Sequence, residues 1–152
     1  MKKIVLNACG VKSLGGLKLF LESFDFFSKT DSKIFVLYSE IEFYKDLNNQ
    51  FYENPRVKFY KTTNKRYLHP FLNYFLPNKI VEEINNSDAI IHFGNFGFKT
   101  LKKSFVLIQN ILPLVKRGIR NSILKVLINR SMTFSNFILI QLDHLKEDID
   151  KK

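Results

Sequence analysis

The sequence predicts an α/β fold, with a mostly parallel sheet of about six strands and helices on both faces. Three observations lead there. Short, largely apolar runs recur along the chain, among them Ile4-Val5-Leu6, residues 89–93 and residues 105–108, and a strand buried on both faces reads this way. Between these runs lie stretches whose apolar residues recur every three or four positions, the period of a helix with one buried side. The two kinds of segment alternate from end to end, which is the pattern of a doubly wound, Rossmann-like sheet. No internal repeat, low-complexity linker or compositional break divides the 152 residues, so 1–152 reads as a single domain.

Each element follows from local sequence. Lys2-Lys3 leads into a first strand over residues 4–8, followed by a glycine-bearing loop through Gly10, Gly15 and Gly16. A helix is expected over 17–28, because Leu17, Phe20, Leu21, Phe24 and Phe27 share one face. Residues 33–39 form the second strand, and residues 40–52 a helix through Ile41, Tyr44, Leu47 and Phe51, closed by Asn54-Pro55. A third strand spans 57–60, and 62–69 is a polar, basic link. Residues 70–85 have helical period but contain Pro77, so a short helix, a break and a second helix from Asn78 are expected. Strands follow at 88–93 and 104–108. After Pro113, residues 116–132 read as a basic amphipathic helix, with Ile119, Ile123, Val126, Leu127 and Arg130 along one flank. A sixth strand covers 137–140, and a last helix opens over 144–150.

Composition narrows the function classes. Net charge is +10, which favours an anionic counterpart: nucleic acid, acidic lipid or a phosphorylated substrate. A single cysteine, Cys9, excludes a disulfide framework or a thiolate zinc site within one chain and suits a reducing compartment. The first apolar run is too short for a signal peptide, and no stretch reaches the ~20 apolar residues of a spanning helix. The chain is therefore expected in the cytoplasm.

The motifs point to binding before catalysis. Gly10 and Gly15 have the spacing of a phosphate-binding P-loop, but Gly16-Leu17 stands where Lys and Ser/Thr should be, and G-x-G-x-x-G is missing as well. Gly15-Gly16 at a helix start either lets a ligand approach the backbone or makes a plain strand–helix turn. The stretch 88–110 brings two apolar runs to polar ends, with His92 and Asn95 after the first and Gln109 and Asn110 after the second. Polar groups at the C-terminal ends of buried strands are how an open α/β sheet builds a binding crevice. His92 alone reads as a packing residue, His69 and His144 are isolated, and no metal-ligand spacing occurs, so no metal and no cofactor are assigned. Glu82-Glu83 and Asp148-x-Asp150 read as solvated helix surface. Lys116, Arg117, Arg120, Lys125 and Arg130 form a cationic set with no acidic residue among them, suited to anionic lipid or to the solvated side of an outer helix. Nucleic acid is the weaker reading, since charge is its sole support.

Taken in order, KKIVLNA with Gly15-Gly16, then DAIIHFGN, then SFVLIQN, and finally NRSMTFSNFILIQLDHLKEDI resemble the N-terminal half of a family 4 glycosyltransferase of the GT-B fold, from bacterial polysaccharide synthesis. In the last segment Gln141-Leu142 and Leu145-Lys146 stand where that half-domain closes. The resemblance implies a retaining sugar transferase built from two Rossmann-like domains, of which this chain corresponds to the acceptor-binding one. It implies a lipid-linked or glycan acceptor at the membrane surface and a donor-binding domain with paired glutamates, which the chain does not carry. Gly15, Gly16, His92, Asn95, Gln109 and Asn110 would then line the acceptor side. Gln109-Asn110 fall where family members keep a histidine, and an amide can hydrogen-bond a sugar hydroxyl but cannot serve as general base near neutral pH. No catalytic residue is therefore assigned, and the chain alone is expected to be inactive: it is either a truncated product or fragment, or it works with a separate donor-binding chain. The alternative is a non-catalytic module that docks on anionic membrane or a partner protein through its basic helix.

Overall fold

The computed structural model describes residues 1–11, 14–39, 54–63, 65–109, 114 and 117–140. In chain order these form β1 (Lys2–Asn7), α1 (Leu14–Ser28), β2 (Ser32–Tyr38), β3 (Val57–Lys61), a 3₁₀ helix (Arg66–Tyr74), α2 (Asn78–Asn85), β4 (Ala89–His92), β5 (Lys103–Ile108), α3 (Ile119–Phe134) and β6 (Phe137–Ile140). The expected helices over 40–52 and 144–150 lie outside the described residues.

All strand pairs are parallel, and the six strands run in the order β3-β2-β1-β4-β5-β6. The fold is thus the doubly wound, Rossmann-like α/β sheet that the alternation of periods predicts. Parallel strands buried on both sides need apolar residues at successive positions, and β1 supplies Ile4, Val5 and Leu6. Because successive side chains face opposite ways, each strand feeds two cores. On one face Ile4, Leu6, Ile34 and Val36 pack with Phe20 and Phe24 of α1. Phe20 meets Phe93 edge to face with ring centroids 5.6 Å apart. On the other face Val5, Phe35, Leu37 and Ile90 pack with Leu72, Leu76 and Ile84 from the 3₁₀ helix and α2. Val106 and Ile108 of β5 pack there with Leu127 and Ile128 of α3.

Three elements depart from the expectation. α1 begins at Leu14, so Gly15 and Gly16 sit in its first turn and not in the preceding loop. The stretch expected as a polar link and a short helix is one 3₁₀ segment from Arg66, with Pro70 inside it. Proline lacks the N–H that a regular helix would use there. Pro77 then precedes α2, as the break predicted. The third departure is the orientation of α3. As an outer helix it is expected to bury Ile123 and Leu127, yet Ile123 is 56% exposed, and Ile119 and Val126 on the same flank are 84% and 65% exposed. The helix carries two apolar stripes, and Leu124, Leu127, Ile128 and Met132 form the second. Periodicity alone cannot rank two such stripes. The buried one includes Ser131, whose hydroxyl donates to the Gly97 carbonyl at 3.1 Å and fixes α3 against the chain after β4.

Candidate functional site

The chain winds from β1 to β2 and β3 on one side of the sheet and from β4 to β5 and β6 on the other. The winding reverses between β1 and β4, and at such a reversal the loops at the C-terminal ends diverge. This is where a ligand crevice belongs in the fold. Parallel register brings Asn7, the last residue of β1, beside His92, the last residue of β4.

Their side chains meet at 2.9 Å, Asn7 Nδ2 to His92 Nδ1. The direction of this bond follows from a second one. The Asn7 Oδ1 accepts the Cys9 backbone N–H at 3.2 Å, which turns the Asn7 amino group toward the ring. Asn7 therefore donates, Nδ1 accepts, and the ring hydrogen of neutral His92 resides on Nε2. That Nε2 is buried without a hydrogen-bond partner. Phe98 packs against the ring at a centroid distance of 4.9 Å, and a Cβ at Gly97 would come within 2.8 Å of it. Burial pushes the His92 pKa down to about 3. A neutral imidazole whose one lone-pair nitrogen is already bonded cannot take a proton from a substrate, so His92 is a packed strut and not a base.

The loops that follow are locked as well. Gly94 has φ +81°, and a Cβ there would overlap the Gly10 carbonyl, so both glycines are required for the two loops to cross in contact. Asn95 also adopts the left-handed conformation, φ +72°, which Asn tolerates better than most residues. Its buried side chain accepts the Gln109 backbone N–H at 2.6 Å, and its own N–H donates to the Leu107 carbonyl at 3.2 Å. Asn95 thereby ties the loop after β4 to the end of β5. Gln109 is half-buried, and its Nε2 is buried without an acceptor among the described residues. An amide donor left unmatched in this way is unusual in folded proteins.

Of the residues singled out by sequence, Gly15 is exposed with open space beside it, whereas Gly16 is buried. Asn110 and Lys116 lie outside the described residues. Arg117 and Arg120 are exposed at the start of α3, and Lys125 is half-buried further along. Arg130 is drawn inward: its guanidinium stacks between Phe71 and Phe134, at 4.5 and 4.6 Å from the ring centroids. Arg130 thus holds α3 to the 3₁₀ helix, and the outward cations of the set are Arg117 and Arg120. His69 is buried and donates through Nε2 to the Thr63 carbonyl at 3.2 Å. Cys9 is buried beside Thr62 at 2.9 Å, and burial pushes its thiol up to about 12.

Sequence reasoning missed Asn7 and the Gly10–Gly94 contact. Neither forms a motif, and both depend on a register between segments more than eighty residues apart. Among the described residues, no three His, Cys, Asp or Glu side chains gather as a metal site, and no helix is long and apolar enough to cross a membrane. No protein-family model matches the chain, and no curated protein matches it in sequence.

Proposed function

We propose that the chain is the acceptor-side domain of a GT-B-type sugar transferase, holding a lipid-linked or glycan acceptor at the C-terminal rim of its sheet. The observation that carries this reading is Gln109. Its carboxamide sits at the end of β5, one strand from the reversal point, with a buried donor that meets no acceptor among the described residues. A sugar hydroxyl or phosphate oxygen is the kind of group such a donor takes. Gly15 at the start of α1 offers open backbone on the same rim. With His92 held neutral and bonded, the described part of the rim supplies binding groups and no general base. Sugar transfer then requires a donor-binding domain to close over the rim.

The test is titration of the purified chain with a water-soluble, polyprenyl-phosphate-linked sugar, followed by amide NMR. Saturable shifts at Gly15, Asn95 and Gln109 are expected, and Gln109→Leu should abolish them. Shifts elsewhere, or none, would overturn the reading. Sugar transfer by the 152-residue chain alone would overturn its second half.

A second reading is favoured by α3. Exposed Ile119, Ile123 and Val126 share a flank beside Arg117 and Arg120, and no acidic residue lies in the helix. Apolar side chains that enter a lipid interface beside cations that meet its headgroups describe a peripheral contact with the anionic inner face of the cell membrane. It is compatible with the first reading and would stand alone if that one fails, with a partner protein as the alternative docking surface. Co-sedimentation with anionic but not neutral vesicles, weakened by Ile123→Ser, is expected. Binding to DNA or RNA with a steep salt dependence, and none to vesicles, would replace it with nucleic-acid binding.

A further inference from the structure

We propose that the opposite, N-terminal edge of the sheet carries a second site, a pocket for a small molecule bearing two or more phosphate groups. A cavity of about 500 Å³ opens there between the starts of β1, β2 and β3 and one flank of α2. That volume lies within the range of about 300–1,000 Å³ typical of small-molecule sites.

The pocket is built by register. Lys3 of β1 pairs with Lys33 of β2, and Phe35, two residues on, pairs with Lys58 of β3. Since side chains alternate along a strand, Lys3, Lys33 and Lys58 leave three adjacent strands on the same face, the face that α2 covers. Like charges on neighbouring strands repel, and Glu83 offsets Lys3 and Lys58 but not Lys33. Arg56 adds a guanidinium that donates to the Thr30 carbonyl at 3.3 Å, and Lys79 faces the cavity from α2.

Two carboxylates, Glu82 and Glu83, share the lining, against five cationic side chains. Glu83 is occupied: it pairs with Lys3 and, at 3.4 Å, with Lys58. The bond from Lys3, ahead of the Lys58 charge, holds the Glu83 carboxyl below its ordinary range. Among the described residues no carboxylate pairs with Lys33, Arg56 or Lys79. The lining therefore holds a surplus of three positive charges. A polyphosphate group matches that surplus in charge and in its number of acceptor oxygens. The one aromatic lining residue, Phe35, is buried and offers no stacking face, so the pocket selects phosphate groups and not a base.

Pyrophosphate and inorganic phosphate, titrated at low ionic strength and followed by calorimetry and amide NMR, test this. Lys33→Gln with Lys79→Gln removes two exposed cations that pair with no carboxylate among the described residues, so the fold should persist, as a thermal melt would verify. Saturable pyrophosphate binding, tighter than phosphate, with shifts at Lys3, Lys33 and Lys58, is expected. The double variant should weaken it at least about tenfold. Lys125→Gln on α3 and Gln109→Leu at the rim should leave it unchanged, which separates this site from the proposed acceptor site. Failure to saturate, equal weakening by Lys125→Gln, or indifference to the double variant would each overturn the proposal.

Discussion

The centre of the sheet and its β6 edge are made from the same kind of segment and behave in opposite ways. Val5 and Leu6 of β1 are wholly buried, while Phe137, Ile138 and Leu139 of β6 remain 49%, 42% and 43% exposed. At the centre the polar groups are locked too. Asn7 holds His92, Gly10 crosses Gly94, and Asn95 ties β4 to β5. Toward the edge, the buried Gln109 Nε2 meets no acceptor among the described residues, and the outward flank of α3 keeps its isoleucines in solvent. An apolar run makes a strand; its place in the strand order decides whether the residues around it become structure or stay available for contact.

The largest expected contrast comes from acid. His92 is wholly buried, with a folded pKa of about 3 against about 6.5 for the unfolded chain. Below pH 6.5 the unfolded state takes up a proton that the folded state refuses. Stability therefore falls as pH drops from about 6.5 to about 3, by an amount on the order of 5 kcal/mol. Urea unfolding across that range should show the fall in the wild type and a smaller one in His92→Asn. Phe137→Ala at the edge should leave the pH slope unchanged.

Next is Gly94→Ala. Positive φ and overlap with the Gly10 backbone should together remove about 4 kcal/mol or more, read as failure to fold or a large drop in melting temperature. Phe137→Ala should remove only about 1 kcal/mol. The Phe137 ring is half exposed, and its main partner is Phe105, stacked at 4.8 Å. A loss there equal to that of Gly94→Ala would erase the contrast. The smallest effect is expected at Ile123→Ser, within about 0.5 kcal/mol of wild type, because its side chain is turned to solvent. Cys9 supplies a check without mutation. With its thiol raised to about 12 and buried, it should resist alkylation in the folded protein and react on unfolding.

Much of this fold could be read from sequence, because most strands hold a continuous apolar run and the helices are periodic. All six strands fell within two residues of their expected bounds. The register between them could not be read, and register is what creates the Asn7–His92 pair and the three-lysine face. On α3 the sequence places Leu127 correctly in the core but not Ile123, because two stripes compete and the Ser131 hydrogen bond to Gly97 helps decide. Arg130 looked like a surface cation and proved to be a stacking residue, since its partners Phe71 and Phe134 come from two elements brought together by the fold. Glu82-Glu83 reads as solvated helix surface, yet Glu83 pairs with lysines from β1 and β3. At the rim, polar residues at strand ends mark a candidate site, but their types alone do not separate a strut such as His92 from Gln109.

The claim that the rim binds without supplying a base rests on His92, and ¹⁵N–¹H NMR of its ring from pH 8 to pH 4 tests it directly. The hydrogen-bond pattern predicts a single neutral form with the proton on Nε2, Nδ1 coupled to Asn7, and no titration down to pH 4. A ring that titrates near pH 6.5, or carries its proton on Nδ1, would contradict it and make His92 a candidate general base.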